Sequence, residues 1–386
     1  MFLFVFFTAG MAAKFYNNSE LEYIVKWSSL GILLTPFFTI KYKIFEKDLK
    51  FKTISKVIVF STVLSSLLAV LFVLRGFGVY ALVIQSLSLT FFKLCFTLYY
   101  SEWKPDRSFK LDGVKHMIWY AIKYRMSQGA LFLEKNIDYL LLGKILPSNV
   151  LGHYAFSYNI MYTPVKRISK IFKDILFPSL SKLKNNKESI LNYYFRSLQI
   201  VAFVSFPSML LIAFNAEYVI VTIFGQHWVE AVPIVEILCF AGAFQSVGQF
   251  GDVVFDSIGK PEISFYLAIT RMVFIIFSIS LGVTYGILVI GYLITLSKIL
   301  SLILILYLIR CQIKFQIRTL WEYVKGTVYC IFALILSQIF FKEILNYNDS
   351  LIKLATQLLL ASLFIFISYR DVLADLLITI KSKTTG

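Results

Sequence analysis

The sequence predicts an all-α fold, a polytopic bundle of transmembrane helices. Three observations carry that prediction. Hydrophobic residues are 58% of the 386-residue chain, charged residues are 16%, and the mean hydropathy is +0.75. Soluble domains run at about 45–50% and 25%, so no single buried core absorbs this much apolar sequence. The apolar residues fall in segments near the roughly 20 residues that a helix needs to cross a bilayer. Basic residues concentrate in alternate loops, as orientation in a membrane requires. That distribution accounts for the net charge of +16 without nucleic acid as a partner, and no RNA-binding aromatic motif or zinc-finger spacing is present.

In chain order, residues 1–15 are apolar from the first residue. No basic stretch precedes them, which argues against a signal peptide, and they are short for a span. A span over 23–40 follows, with Pro36 expected to kink it or end it early. A basic loop over 41–56 holds Lys41, Lys43, Lys47, Lys50, Lys52 and Lys56. Spans 55–74 and 79–100 are joined at Arg75-Gly76-Phe77-Gly78. Loop 101–115 leads to a long pair, 113–145 and 149–182, joined at Pro147-Ser148-Asn149. Span 190–214 contains Pro207, and loop 215–229 carries no Lys or Arg. Span 230–257 contains Gly242, Gly248 and Gly251, which permit close helix approach. The turn Gly259-Lys260-Pro261 leads to spans 263–283 and 286–309. Spans 320–341 and 351–369 close the chain. The expectation is about eleven spans plus the short first segment.

Loops 41–56, 101–115, 182–196 and 310–318 and the tail 370–386 hold twenty Lys or Arg; the alternate loops hold two, Arg75 and Lys342. The basic set is expected in the cytoplasm, with both termini. The stretch from Lys52 through Gly78 to Tyr100 matches in layout that from Glu262 through Gly286 to Arg310. Each is two apolar spans hinged on glycine, the kind of repeat from which transporters are built.

Charge inside lipid is expensive and usually faces a protein interior or a wet cavity. The pair 113–145 and 149–182 concentrates it, so a polar, partly basic cavity is expected there. Glu134 and Asp138 are four apart and share a helix face. They suit the uptake of a proton or cation; an ion pair with Lys135 or a neighbouring span accounts for the same spacing. Lys166, Lys170 and Lys173 form a stripe with Arg167 beside it, suited to a pyrophosphate or to snorkelling towards headgroups. Asp252 and Asp256 are a second such pair, and Arg271 on the next span is placed to meet one of them. Lys298 is too deep in its span to snorkel and should face a cavity or an acid; Lys93 is shallower.

The four cysteines, Cys95, Cys239, Cys311 and Cys330, stand singly in apolar runs and read as small core residues. His116, His153 and His227 lie far apart, so no metal site is expected. No nucleophile elbow, P-loop or glycine-rich phosphate loop occurs. The residues therefore point to no catalytic group, no cofactor and no ATP hydrolysis by the chain itself.

One resemblance runs along most of the chain. Its pieces are Asn136-Ile-Asp138-Tyr-Leu-Leu-Leu-Gly143, Leu151-Gly152-His-Tyr154-Ala155, Pro164, Phe177-Pro178-Ser-Leu-Ser181, Phe224-Gly225-Gln-His-Trp228-Val-Glu-Ala231 and Ser257-Ile-Gly259-Lys260-Pro261. In order and spacing these resemble the Wzx-type polysaccharide (O-antigen) flippases of the multidrug/oligosaccharidyl-lipid/polysaccharide exporter superfamily. The resemblance implies two six-helix bundles around a central cavity plus two C-terminal helices. It divides the chain into 1–111, an incomplete first bundle lacking two helices, 112–317, a complete second bundle, and 318–386, two extra helices and a tail. It implies a substrate of oligosaccharide on undecaprenyl pyrophosphate, moved to the outer leaflet of a bacterial plasma membrane by alternating access, without enzymatic chemistry. Membrane lipids and other polysaccharide-assembly proteins are the partners it implies. Asn159 stands where related lipid flippases can carry a basic residue, and joins Lys166, Arg167, Lys170 and Lys298 as candidate substrate contacts. A multidrug exporter of the same superfamily and a non-functional fragment are the alternatives. A membrane glycosyltransferase or polymerase needs a larger outside loop than 215–229.

Overall fold

The computed structural model describes residues 1–102, 114–182, 187–258, 260–313, 315–341, 355–360 and 362, with some side chains of 114–131, 168–188 and 257–261, and that of Ile317, outside that description. Every regular element among the described residues is helical. In order these are α1 (Phe2–Phe15), α2 (Glu20–Lys47), α3 (Phe51–Leu74), α4 (Tyr80–Tyr100), α5 (Val114–Ile145), α6 (Ser148–Lys182), α7 (Lys187–Phe214) and α8 (Ala216–Phe224). A short 3-10 turn (Gln226–Ala231) precedes α9 (Val232–Gly248), α10 (Gly251–Ser257), α11 (Pro261–Gly282), α12 (Ile287–Gln312) and α13 (Ile317–Ile339). Among the described residues eight helices are long and apolar enough to cross a membrane. Their outward residues are apolar, as at Phe60, Leu67 and Val70 of α3, the inverse of a soluble surface. The chain is a multi-pass membrane protein. Helices α5 and α6 are not among the eight, although at 32 and 35 residues they extend about 48 and 52 Å. Their polar residues lower the hydropathy, and those residues build the site described below.

The chain divides into two compact units, residues 1–120 and 121–386. In the first, α3 packs on α4, and α2 on α1 and α4. The contact faces are small: Ser61, Ser65, Ala69, Ala81 and Thr97 are all buried. Lipid tails are as apolar as leucine, so close backbone approach holds such helices together.

In the second unit α9 is the central helix, packed against α6, α7 and α12; α11 packs on α12 and α13 on α7. Gly242 and Gly251 serve the close approach expected of them. A Cβ on Gly242 would lie 2.5 Å from Met161 Cγ, and one on Gly251 would lie 2.1 Å from Ile305 Cγ2. Gly248 does not share that role, since its added Cβ would make only ordinary contact with Ile305 at 3.9 Å. The two hairpins expected to match, α3–α4 and α11–α12, both turn on a glycine with positive φ, +52° at Gly78 and +98° at Gly286.

Five expectations need correction. Pro36 does not end α2, which runs on to Lys47; proline is tolerated inside membrane helices, and the loss is confined to the carbonyl of Ile32, four residues back, which has no amide donor from Pro36. The basic loop at 41–56 thus contracts to the turn around Asp48–Lys50, with Lys41, Lys43 and Lys47 on the last turns of α2. The stretch 215–229 is not a loop: its apolar run forms α8, ended by Gly225 at φ +92°. Span 230–257 is broken at Gln249–Phe250 into α9 and α10. Of the cysteines, Cys239 and Cys330 are buried, but Cys95 and Cys311 are exposed, positions where lipid suits a small apolar residue as well as a core does.

Candidate functional site

The second unit gathers charge in its interior. On α5, Glu134, Asp138 and Leu142 follow one another at four-residue intervals and so share a face. Asp138 is 4% exposed and Leu142 fully buried, so this face looks into the bundle. The hydroxyl of Tyr154, on α6, donates to Asp138 Oδ2 at 2.9 Å. The other oxygen, Asp138 Oδ1, is buried with no hydrogen-bond partner among the described residues.

Tyr154 begins a stripe on α6. Tyr154, Tyr158 and Tyr162 are spaced by one turn each, with ring centroids 6.1 and 5.6 Å apart. Tyr139 of α5 packs edge-on against Tyr154 and Tyr158, at 5.9 and 5.4 Å. On α9, Gln245 Oε1 is buried with no hydrogen-bond partner among the described residues.

Arg271 on α11 ties three helices together. Its Nε donates to Glu134 Oε1 of α5 at 2.6 Å. Its two terminal nitrogens donate to both oxygens of Asp252 on α10, at 3.0 and 3.1 Å. A planar guanidinium fits a carboxylate in this two-pronged way, and a lysine would not. The three side chains are 14%, 16% and 24% exposed, so the pairs are poorly screened. Lys298 of α12 is half-buried and lies within Coulombic range of Asp138, Glu134 and Arg271. Among the described residues it closes no ion pair.

The sequence placed Glu134 and Asp138 on one face and Arg271 where it could meet Asp252 or Asp256; the structure pairs it with Asp252 and brings Glu134 and Asp138 to the same cluster. It also separates the first two. Glu134 is held by Arg271, not by Lys135, which is exposed. Asp256, the other acid of the second pair, accepts from Ser264 Oγ at 2.9 Å. Sequence reasoning missed Tyr154 and Gln245; the four-residue spacing of Tyr154, Tyr158 and Tyr162 was the available signal.

The candidate substrate residues of α6 lie apart from this cluster. Lys166 is twelve residues from Tyr154, about 18 Å along the helix. Lys166 and Arg167 are exposed, and the side chains of Lys170 and Lys173 lie outside the described residues. Asn159 is exposed and its Nδ2 donates to its own helix at the Ala155 carbonyl, 2.9 Å away. Near the start of α6, His153 Nε2 lies 3.2 Å from Glu230 Oε2, and Trp228 stacks on Phe156 at 4.1 Å, seating the 3-10 turn on the helix. No group of three His, Cys, Asp or Glu able to hold a metal occurs among the described residues.

Comparison with known proteins places this arrangement in a family. Residues 1–233 match the family described as polysaccharide biosynthesis protein. The teichuronic acid biosynthesis protein TuaB of Bacillus subtilis (strain 168) is 28% identical over 268 residues, 69% of this chain and 56% of TuaB. The lipopolysaccharide biosynthesis protein WzxC of Escherichia coli (strain K12) is 23% identical over 284 residues, 72% of this chain and 57% of WzxC. The succinoglycan biosynthesis transport protein ExoT of Rhizobium meliloti (strain 1021) is 22% identical over 74% of this chain and 58% of ExoT. The chain thus spans little more than half the length of these curated relatives. Among solved structures, the lipid II flippase MurJ in an inward closed conformation is similar with a TM-score of 0.74. That likeness covers 96% of this chain and 81% of MurJ at 13% identity, and it shows the fold alone. The expected resemblance to Wzx-type flippases is borne out, and the chain belongs to the polysaccharide biosynthesis protein family.

Proposed function

We propose that the chain is a flippase. It carries oligosaccharide repeat units linked to undecaprenyl pyrophosphate from the cytoplasmic to the outer leaflet of a bacterial plasma membrane, for lipopolysaccharide, capsule or exopolysaccharide synthesis. The observation that carries this reading is the family match on a helical fold similar to that of a lipid flippase. The relatives' printed roles in teichuronic acid, lipopolysaccharide and succinoglycan synthesis favour the same substrate class. Movement by alternating access forms no covalent bond, so the chain acts as a transporter and not as an enzyme. The distribution of Lys and Arg favours cytoplasmic termini.

The exposed cations Lys166 and Arg167, with Lys170 one turn further along, suit the pyrophosphate, because ionised donors bind phosphate oxygens strongly. Asn159 and Lys298 are weaker candidates: the Asn159 amide already bonds its own helix, and Lys298 lies among acids. The test is complementation. A strain lacking its flippase and expressing this chain is expected to regain surface polysaccharide, and the Lys166→Ala, Lys170→Ala double variant is not. Full export by a double variant present in the membrane at normal level would refute the assignment of the stripe.

A further inference from the structure

We propose that Asp138, and not Glu134, binds and releases one proton in the interior of the second unit, on its Oδ1 oxygen. The proposal deepens the transport reading by naming a coupling group, and so rests on that reading for its purpose but not for its chemistry.

The argument starts from charge. Among the described residues, Glu134 on α5 and Asp252 on α10 are each paired with Arg271 on α11. Asp138 on α5 is 4% exposed and has no cation in contact among the described residues. An ionised carboxylate held this way in a low-dielectric interior is costly, and one proton removes its charge.

Geometry then selects the acid. Glu134 and Asp252 accept three hydrogen bonds from the single guanidinium of Arg271. Protonating either would replace a charge-assisted bond by a weaker one. Asp138 has no cation in contact among the described residues. Its Oδ2 accepts from Tyr154, and its Oδ1 is buried, unpartnered and free to take a proton. The other polar groups around it are neutral: Tyr139 on its own helix and Tyr158 on α6. Lys298 supplies a positive charge at longer range. The proton comes from water and returns to water. While it is bound, the Tyr154 hydroxyl still donates to Oδ2, which has become the carbonyl oxygen of a neutral acid. A sodium ion fits less well. It needs several oxygen ligands, and Arg271 already occupies those of Glu134 and Asp252.

The test is infrared difference spectroscopy of the purified full chain in lipid nanodiscs, titrated with acid. The wild-type chain should show a carboxylic C=O band that Asp138→Asn removes completely and Glu134→Gln leaves in place. Tyr154→Phe should keep the band and move it to higher frequency, because the hydrogen bond to Oδ2 is gone. This variant carries the test if Asp138→Asn fails to elute as a single species. Survival of the band in Asp138→Asn, its loss in Glu134→Gln, or an unmoved band in Tyr154→Phe would overturn the proposal. So would its abolition on replacing choline chloride with sodium chloride at equal ionic strength, which would mark an alkali-cation site. The readout needs no transport. A normal set of spectra from a chain that fails to move lipid-linked oligosaccharide would therefore refute the flippase reading and leave the proton site standing.

Discussion

Replacing Arg271 by methionine keeps an unbranched apolar stem and removes the charge that α5, α10 and α11 share. It leaves Glu134 and Asp252 facing each other without the three hydrogen bonds that Arg271 donates. Breaking a buried ion pair by deleting one partner costs about 3–5 kcal/mol, chiefly because a charge is left uncompensated. The side chains keep 14–24% of their exposure, so the lower end of that range, about 3 kcal/mol, applies. With an unfolding entropy of about 2.1 cal/mol/K per residue, cooperative melting of the whole chain makes this a fall in Tm of about 4 °C. Glu134→Gln leaves the two-pronged contact to Asp252 and should cost only about 1–2 kcal/mol, the difference between a charge-assisted and a neutral hydrogen bond. The informative variant is the triple one, Arg271→Met with Glu134→Gln and Asp252→Asn. It removes all three charges of these two pairs and should recover much of the loss. The assay is thermal unfolding of detergent-purified protein, followed by loss of the monodisperse species. A single variant as stable as wild type, or a triple variant no better than the single one, would refute the reasoning.

Other expectations follow from the packing and the charge pattern. Gly251→Ala places a Cβ against Ile305 Cγ2. It should lower stability by about 1–3 kcal/mol through overpacking, with Ile305→Ala restoring part of it; unchanged melting of Gly251→Ala would contradict this contact. Cysteines introduced at Ser148 and Tyr285 should react with an impermeant reagent added outside intact cells, and one at Asn185 should not. Labelling of Asn185 from outside would reverse the orientation read from twenty basic residues against two.

Much of the fold was legible because membrane spans are written locally. Twenty apolar residues ended by a glycine turn need no knowledge of the partner, and Gly78 and Gly286 both turn where expected. What escaped depends on neighbours. The passage of α2 through Pro36 rests on the tolerance a membrane helix has for an internal proline, which the proline itself does not show. The break at Gln249–Phe250 follows no strong local signal, since Gly248 and Gly251 flank it but also suit simple close packing. The run 215–229 carries no Lys or Arg and reads as a loop, yet its apolar residues bury Ala216 and Ile220 as a short helix. At the site, residue types were readable and pairings were not. Glu134 and Asp138 look equivalent in sequence, one turn apart on one face. Only the fold puts Arg271, 137 positions away, on Glu134 and leaves Tyr154, 16 positions away, for Asp138. Lys298 was expected to face a cavity or an acid, and its acidic neighbours come from α5, a helix distant in sequence.

The central claim is transport of a lipid-linked oligosaccharide, and reconstitution tests it most directly. Purified full chain in proteoliposomes would be supplied with a labelled undecaprenyl-pyrophosphate oligosaccharide. An impermeant glycosidase added outside would report how much has crossed between leaflets. The account predicts that the protected fraction falls faster with the chain than in empty liposomes, and that Lys166→Ala with Lys170→Ala abolishes the difference. Equal rates with and without a correctly folded chain would contradict it.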